Sequence, residues 1–247
     1  MQALPTQVLQ VADEWWARDF ACEVDELRPA HTHVQEHAGR LGEETGIWIL
    51  CVGEHPLISL PSSLMSTLAE QAATWSRAVV ADEAALLSQL APVEVRKIVG
   101  PAFIGYGTTA ELDLASASVS RELTADDATA ITALRAACSE EEWEHGGSDI
   151  RHDPCFGAHD ESGELCALAG YKLWDAKMAH ISIVTTPERR HRGYATAAVA
   201  SAASHALAHE LYPQYRTLAS NQASMRIARR LGFLEYGFSV YVKLASS

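Results

Sequence analysis

No stretch of this sequence approaches the roughly 18 consecutive apolar residues that a membrane-spanning helix needs, so no membrane partner is expected. The start, Met1-Gln2-Ala3-Leu4-Pro5, has neither the basic residues nor the apolar core of a secretory signal, and a cytoplasmic protein is the expectation. Cysteine is scarce. Cys22, Cys51, Cys138, Cys155 and Cys166 are odd in number and scattered, which reads as reduced thiols and not as a disulfide framework. Positive charge is also short: 19 Lys and Arg stand against 32 Asp and Glu, for a net charge of −13. That balance argues against a nucleic-acid partner, because phosphate contacts need a basic surface. It would steer a cationic or amine substrate, or serve solubility alone. No internal repeat or low-complexity tract is present. The 247 residues allow one large domain or two small ones, and 48% hydrophobic content is ordinary for a globular chain.

Against this acidic background one basic segment stands out, Ile183-Val184-Thr185-Thr186-Pro187-Glu188-Arg189-Arg190-His191-Arg192-Gly193-Tyr194-Ala195. An apolar strand stops at a proline, a basic turn with one glycine follows, and an alanine-rich helix runs from Thr196 to about Ala208. The first N–H groups of such a helix lack intrahelical partners, and its dipole adds positive potential, so the turn is built for an anion such as a pyrophosphate. Gly193 lets the backbone approach a ligand closely. No Gly-Lys-Ser/Thr follows, which excludes an ATP-type phosphate loop.

The pattern Arg190-x-x-Gly193-x-Ala195 after a strand resembles the acyl-CoA-binding signature of the GNAT N-acetyltransferase superfamily. Asn221-Gln222-Ala223-Ser224, followed by a short helix and Leu231-Gly232-Phe233, resembles the same family's second motif. The likeness covers residues 118–247. It implies an α/β GNAT acyltransferase fold, a mixed central sheet flanked by helices, preceded by a smaller α/β N-terminal lobe over residues 1–117 that covers the acceptor site. It also implies acetyl-CoA as cosubstrate, a small-molecule or peptide amine as acceptor, and direct attack in a ternary complex. A homodimer is open to it. The alternative is an acyl-CoA-binding sensor or degenerate GNAT protein without turnover.

Carried over by position, the resemblance sets the backbone of Ile183, Val184 and Thr185 against the pantetheine and thioester. It wraps Arg189, Arg190, His191, Arg192, Gly193, Tyr194, Ala195 and Thr196 around the pyrophosphate, and brings Asn221 and Ser224 to the pantetheine arm. Many members place a tyrosine seven residues after the motif asparagine as general acid; here that position is Ala228. Ser224 and Tyr236 are the candidate replacements. His180, on the strand before the signature, is the candidate base, with a sheet-surface histidine as its plain alternative. Glu142, within the acidic run Glu140–Glu144, is a candidate to bind the amine or relay its proton, against a solvated acidic face.

The expected elements from residue 118 on are a strand at Ser118–Leu123, a helix capped by Thr124 with Asp127, and a helix over 140–147. Strands follow at 156–159, 165–173 and 180–185, then the alanine-rich helix, a strand at 216–219, a helix at 223–231 capped by Gly232, and a strand at 238–244. Before residue 118 the expectation is helix at 8–20, strands at 47–52 and 57–60, helices at 62–76 and 81–90, and a strand at 98–106 interrupted at Gly100-Pro101. His152, Cys155, His159 and Cys166 have zinc-ligand chemistry, but a strand position and no standard spacing. Gly105-x-Gly107-x-x-Ala110 lacks the following helix that a dinucleotide fingerprint requires. His31, His33 and His37 read as a polar loop or helix surface.

Overall fold

The structure, a computed structural model, describes residues 3–146 and 154–245. In chain order the elements are α1 (Thr6–Phe20), β1 (His33–Glu36), β2 (Ile47–Cys51), β3 (Leu57–Leu60), α2 (Ser62–Ala72), α3 (Arg77–Ala81), α4 (Glu83–Gln89), β4 (Val95–Tyr106), β5 (Ser120–Glu122), α5 (Ala128–Ala137), α6 (Glu140–Gly146), β6 (Cys155–His159), β7 (Leu165–Trp174), β8 (Met178–Thr185), α7 (Tyr194–Ala208), β9 (Tyr212–Leu218), α8 (Gln222–Leu231) and β10 (Leu234–Leu244). From β5 onward this is the order expected of a GNAT fold: strand, two helices, three strands, helix, strand, helix, strand. No helix among the described residues is long and apolar enough to cross a membrane.

Packing groups the chain into two compact units. One takes the segment up to Val8, Gly105–Arg216 and Ala223–Leu234; the other takes Leu9–Ile104, Thr217–Gln222 and the chain from Glu235 on. The grouping does not follow a single cut after residue 117. β10 pairs antiparallel with β2, from Phe238↔Cys51 to Val242↔Ile47, and so packs with the N-terminal elements.

In the first unit the strands lie in the order β9-β8-β7-β6-β5, antiparallel except for the parallel pair β8 and β9. β6 and β7 are buried and apolar along most of their length, as strands covered on both faces must be. α7 packs on β5 to β8, while α5 and α6 pack on β7 and β8 around Leu134, Trp143, Leu168 and Val184. α7 is buried over most of its circumference, and its alanines let the helix lie close to the strands. The expected caps form. Thr124 N–H donates to Asp127 Oδ2 at 2.9 Å, and Phe233 N–H donates to Ala228 C=O at 3.0 Å around Gly232.

In the second unit the order is β1-β3-β2-β10-β4, over a core of Ile49, Ile58, Leu68, Trp75, Leu86 and Val240. Several expectations need correction here. β1 is a strand parallel to β3, not a loop or helix surface. His37 just beyond it is buried, its Nδ1 2.7 Å from Ser59 Oγ and its Nε2 2.8 Å from the Gly46 carbonyl, and burial pulls its pKa below the usual value. The two long helices are three. Ser76 Oγ accepts the Val79 N–H and Asp82 Oδ1 the Ala85 N–H, so each residue caps a new helix. β4 runs through Gly100-Pro101 without interruption. β10 likewise continues through Gly237, where a Cβ would overlap the Cys51 carbonyl oxygen; the glycine there permits close passage of β2 and does not mark a turn. Gly237→Ala should therefore destabilise the protein by about 1–3 kcal/mol in urea unfolding, since a backbone carbonyl cannot move aside.

Candidate functional site

β8 is paired unequally on its two edges. Toward β7 the register is continuous from Trp174↔Met178 to Ala167↔Thr185. Toward β9 it stops at Ile181↔Tyr215, although β8 itself runs on to Thr185. Thr186 N–H donates to the Cys166 carbonyl on the β7 side at 3.0 Å. Backbone groups alternate along a strand, so Ile183 and Thr185 direct theirs to the edge where β9 has left. Ile183, Val184 and Thr185, the backbone that the resemblance sets against the pantetheine, lie on this opened stretch. α6 lies close to it: a Cβ on Gly146 would overlap the Ile183 carbonyl oxygen.

The chain then turns through Pro187–Arg189 into α7. His191 and Gly193 both have left-handed backbones, φ 64° and 89°, so successive N–H groups line a concavity suited to an anion. The first intrahelical bond is Ala197 N–H to Gly193 C=O at 3.0 Å. Among the described residues the N–H groups of His191 to Thr196 have no protein partner. No protein atom lies within 4 Å of where a Gly193 Cβ would sit. Thr186 Oγ1, at the entrance to the turn, is buried with no hydrogen-bond partner among the described residues. A run of unused donors, open space and an orphaned hydroxyl fit a pyrophosphate ligand.

The arginines divide. Arg189 is held by Asp160 at 3.0 Å and Glu164 at 2.5 Å. Arg190 is ion-paired with Glu142 on α6 and reaches the Thr185 carbonyl at 3.4 Å. Arg192 has no carboxylate partner among the described residues. Glu142 also accepts the Ser139 N–H at 3.0 Å, and that bond, with Arg190, holds its carboxyl below the usual range. A carboxylate so held is a poor proton acceptor.

His180 stacks on Trp174, with ring centroids 4.1 Å apart, and its Nδ1 lies 2.8 Å from Gln214 Oε1, its register partner on β9. By strand alternation His180 shares a face with Val184, which packs in the α5–α6 cluster. Ser224, in the first turn of α8, lies 2.8 Å from the hydroxyl of Tyr215, a buried group whose pKa is pushed up to about 12 by desolvation. Tyr236 donates to Asp13 Oδ1 at 2.7 Å. Asn221 precedes α8, its N–H donating to the Leu218 carbonyl at 2.9 Å, and belongs to the second unit. Ala228 is fully buried. Cys155 and His159 lie on β6, and His152 falls outside the described residues. Sequence reasoning missed Gln214 and Tyr215, because Pro213 disguises the start of β9.

The strand, turn and helix lie within one matched segment. Residues 123–233 match the acetyltransferase (GNAT) family model. The chain carries a GNAT domain. A GNAT-family acetyltransferase from Colwellia psychrerythraea shares the fold, with a TM-score of 0.50 and 17% identity over 81% of each chain. A GNAT-family protein from Novosphingobium aromaticivorans is 23% identical over 63% of this chain and 68% of its own, with a TM-score of 0.47. A GCN5-related N-acetyltransferase-like protein from Streptococcus suis is 18% identical over 65% and 68%, with a TM-score of 0.42. No curated protein matches the chain.

Three outcomes follow for this GNAT domain. Acetyl-CoA at about 100 times Kd should stabilise it by about 2.7 kcal/mol, a shift in Tm of a few degrees. Gly193→Val should abolish that shift at an intrinsic cost of about 1–2 kcal/mol for the left-handed residue. A carboxyl with a lowered folded-state pKa adds stability above its unfolded value, and that stability is lost as pH falls through the folded one. Glu142→Gln should therefore flatten the Tm–pH curve below about pH 5.

Proposed function

We propose that the protein transfers an acetyl group from acetyl-CoA to a primary amine of a small molecule or peptide. The observation that carries this reading is the edge of β8 left open beyond Ile181, continuous with the N–H groups of His191 to Thr196, which have no partner among the described residues. An extended amide-bearing arm and a pyrophosphate need donors in that order. Acceptor choice is assigned to residues 1–117, which lie outside the GNAT match.

In the proposed step the amine nitrogen attacks the thioester carbonyl carbon. The N–C bond forms, the C–S bond breaks, and the electron pair leaves with sulfur. The outward N–H of Ile183 or Thr185 donates to the carbonyl oxygen as its charge grows. The amine proton goes to His180. The thiolate takes a proton from water or from Ser224, whose hydroxyl is bonded to Tyr215. Glu142 stays ionised and holds Arg190. The net charge of −13 favours approach of a cationic amine.

A second reading is acyl-CoA binding without turnover, favoured by the fully buried Ala228 at the family's usual acid position. A panel of polyamines, aminoglycosides, amino acids and peptide N-termini, assayed for CoA release, separates the two. Release with an amine above the hydrolytic background supports the enzyme, and His180→Ala should then lower kcat on the order of 100-fold. Tight binding of acetyl-CoA with no release across the panel overturns the enzyme reading in favour of the sensor.

A further inference from the structure

His180 joins a buried hydrogen-bond chain. Its Nδ1 lies 2.8 Å from Gln214 Oε1. Gln214 Nε2 donates to the Tyr106 hydroxyl oxygen at 2.6 Å, and the Tyr106 O–H donates to Met178 Sδ at 3.5 Å. Gln214, Tyr106 and Met178 are all fully buried, so no solvent competes for these groups. All four residues lie in the same compact unit.

The chain has a direction, and its far end sets it. A thioether sulfur accepts and never donates. Tyr106 O–H reaches Met178 Sδ, and Gln214 Nε2 itself lies 3.9 Å from the same sulfur, so the Gln214 amide nitrogen faces two acceptors and the Tyr106 oxygen accepts from it. The only donor Gln214 has is its amide nitrogen, which turns the amide oxygen toward His180. An amide oxygen only accepts, so His180 Nδ1 must carry a proton. We infer that Gln214, Tyr106 and Met178 are positioning residues that hold neutral His180 as the Nδ1–H tautomer, making Nε2 the atom that takes the amine proton. The Trp174 stack, with the rings only 12° from parallel, keeps the imidazole from turning over. Arg216 also lies over the Trp174 ring, its Cζ 5.8 Å from the centroid. This inference rests on the acetyl-transfer reading only for the role of Nε2; the tautomer itself is independent of it.

The test is a long-range 1H–15N correlation spectrum of the full chain, with His180→Gln to assign its resonances, alongside steady-state kinetics with the best amine of the panel. The expected spectrum shows His180 protonated at Nδ1 and bare at Nε2. Tyr106→Phe and Met178→Leu, both conservative in volume, release the direction of the chain. Each should bring in the Nε2–H tautomer and lower kcat about 2- to 10-fold, with KM for acetyl-CoA unchanged. A fall in kcat with the tautomer unmoved would mark a packing effect and overturn the assignment. So would an Nε2–H tautomer in the unaltered protein, whatever its activity. If no amine is acetylated, the transfer reading fails while the spectrum still decides the tautomer.

Discussion

The parallel pairing of β8 with β9 ends at Ile181↔Tyr215, and most of what this protein can do follows from that. A strand inside a sheet has its N–H and C=O groups consumed on both sides. Where one neighbour departs, half of those groups need another partner. Among the described residues the N–H groups of Ile183 and Thr185 are left in that state, next to a helix start that has the same deficiency. A sheet interruption and a helix terminus, each costly alone, together make one extended row of donors. The ligand best matched to it has amides at one end and phosphates at the other.

Charge plays a different part from the one its abundance suggests. Three arginines in four residues look like a phosphate clamp, yet Arg189 and Arg190 are both turned toward carboxylates. Arg190 ties the turn to α6 through Glu142, and Glu142 in turn closes the capping box of α6 with Ser139. The two residues brace the turn geometry, while the backbone faces the open space beside Gly193.

The first unit was largely legible in the sequence because its signals are local. Thr124 and Asp127 cap a helix, Gly232 ends one, and alternating apolar runs mark β6 to β8. Residues whose role depends on a distant partner were not legible. Pro213 and Gly237 look like breaks, but one sits in register with Ala179 and the other makes room for Cys51. His33 to Glu36 have no strand-like pattern until β3 lies beside them. Within the site, the Arg190–Gly193–Ala195 spacing located the turn. The partners of Arg189 and Arg190, and the link from His180 to Gln214, come from elements far apart in the chain and leave no mark in local spacing.

The pairing of two of the three loop arginines also bears on behaviour in salt. A phosphate held by free lysines and arginines loses affinity steeply as counterions compete for each charge. Here the donors toward the open space are backbone amides, which carry no counterion atmosphere, and Arg192 is the only loop arginine without a carboxylate partner among the described residues. For the ligand proposed above, affinity in this turn should therefore depend on geometry more than on ionic strength.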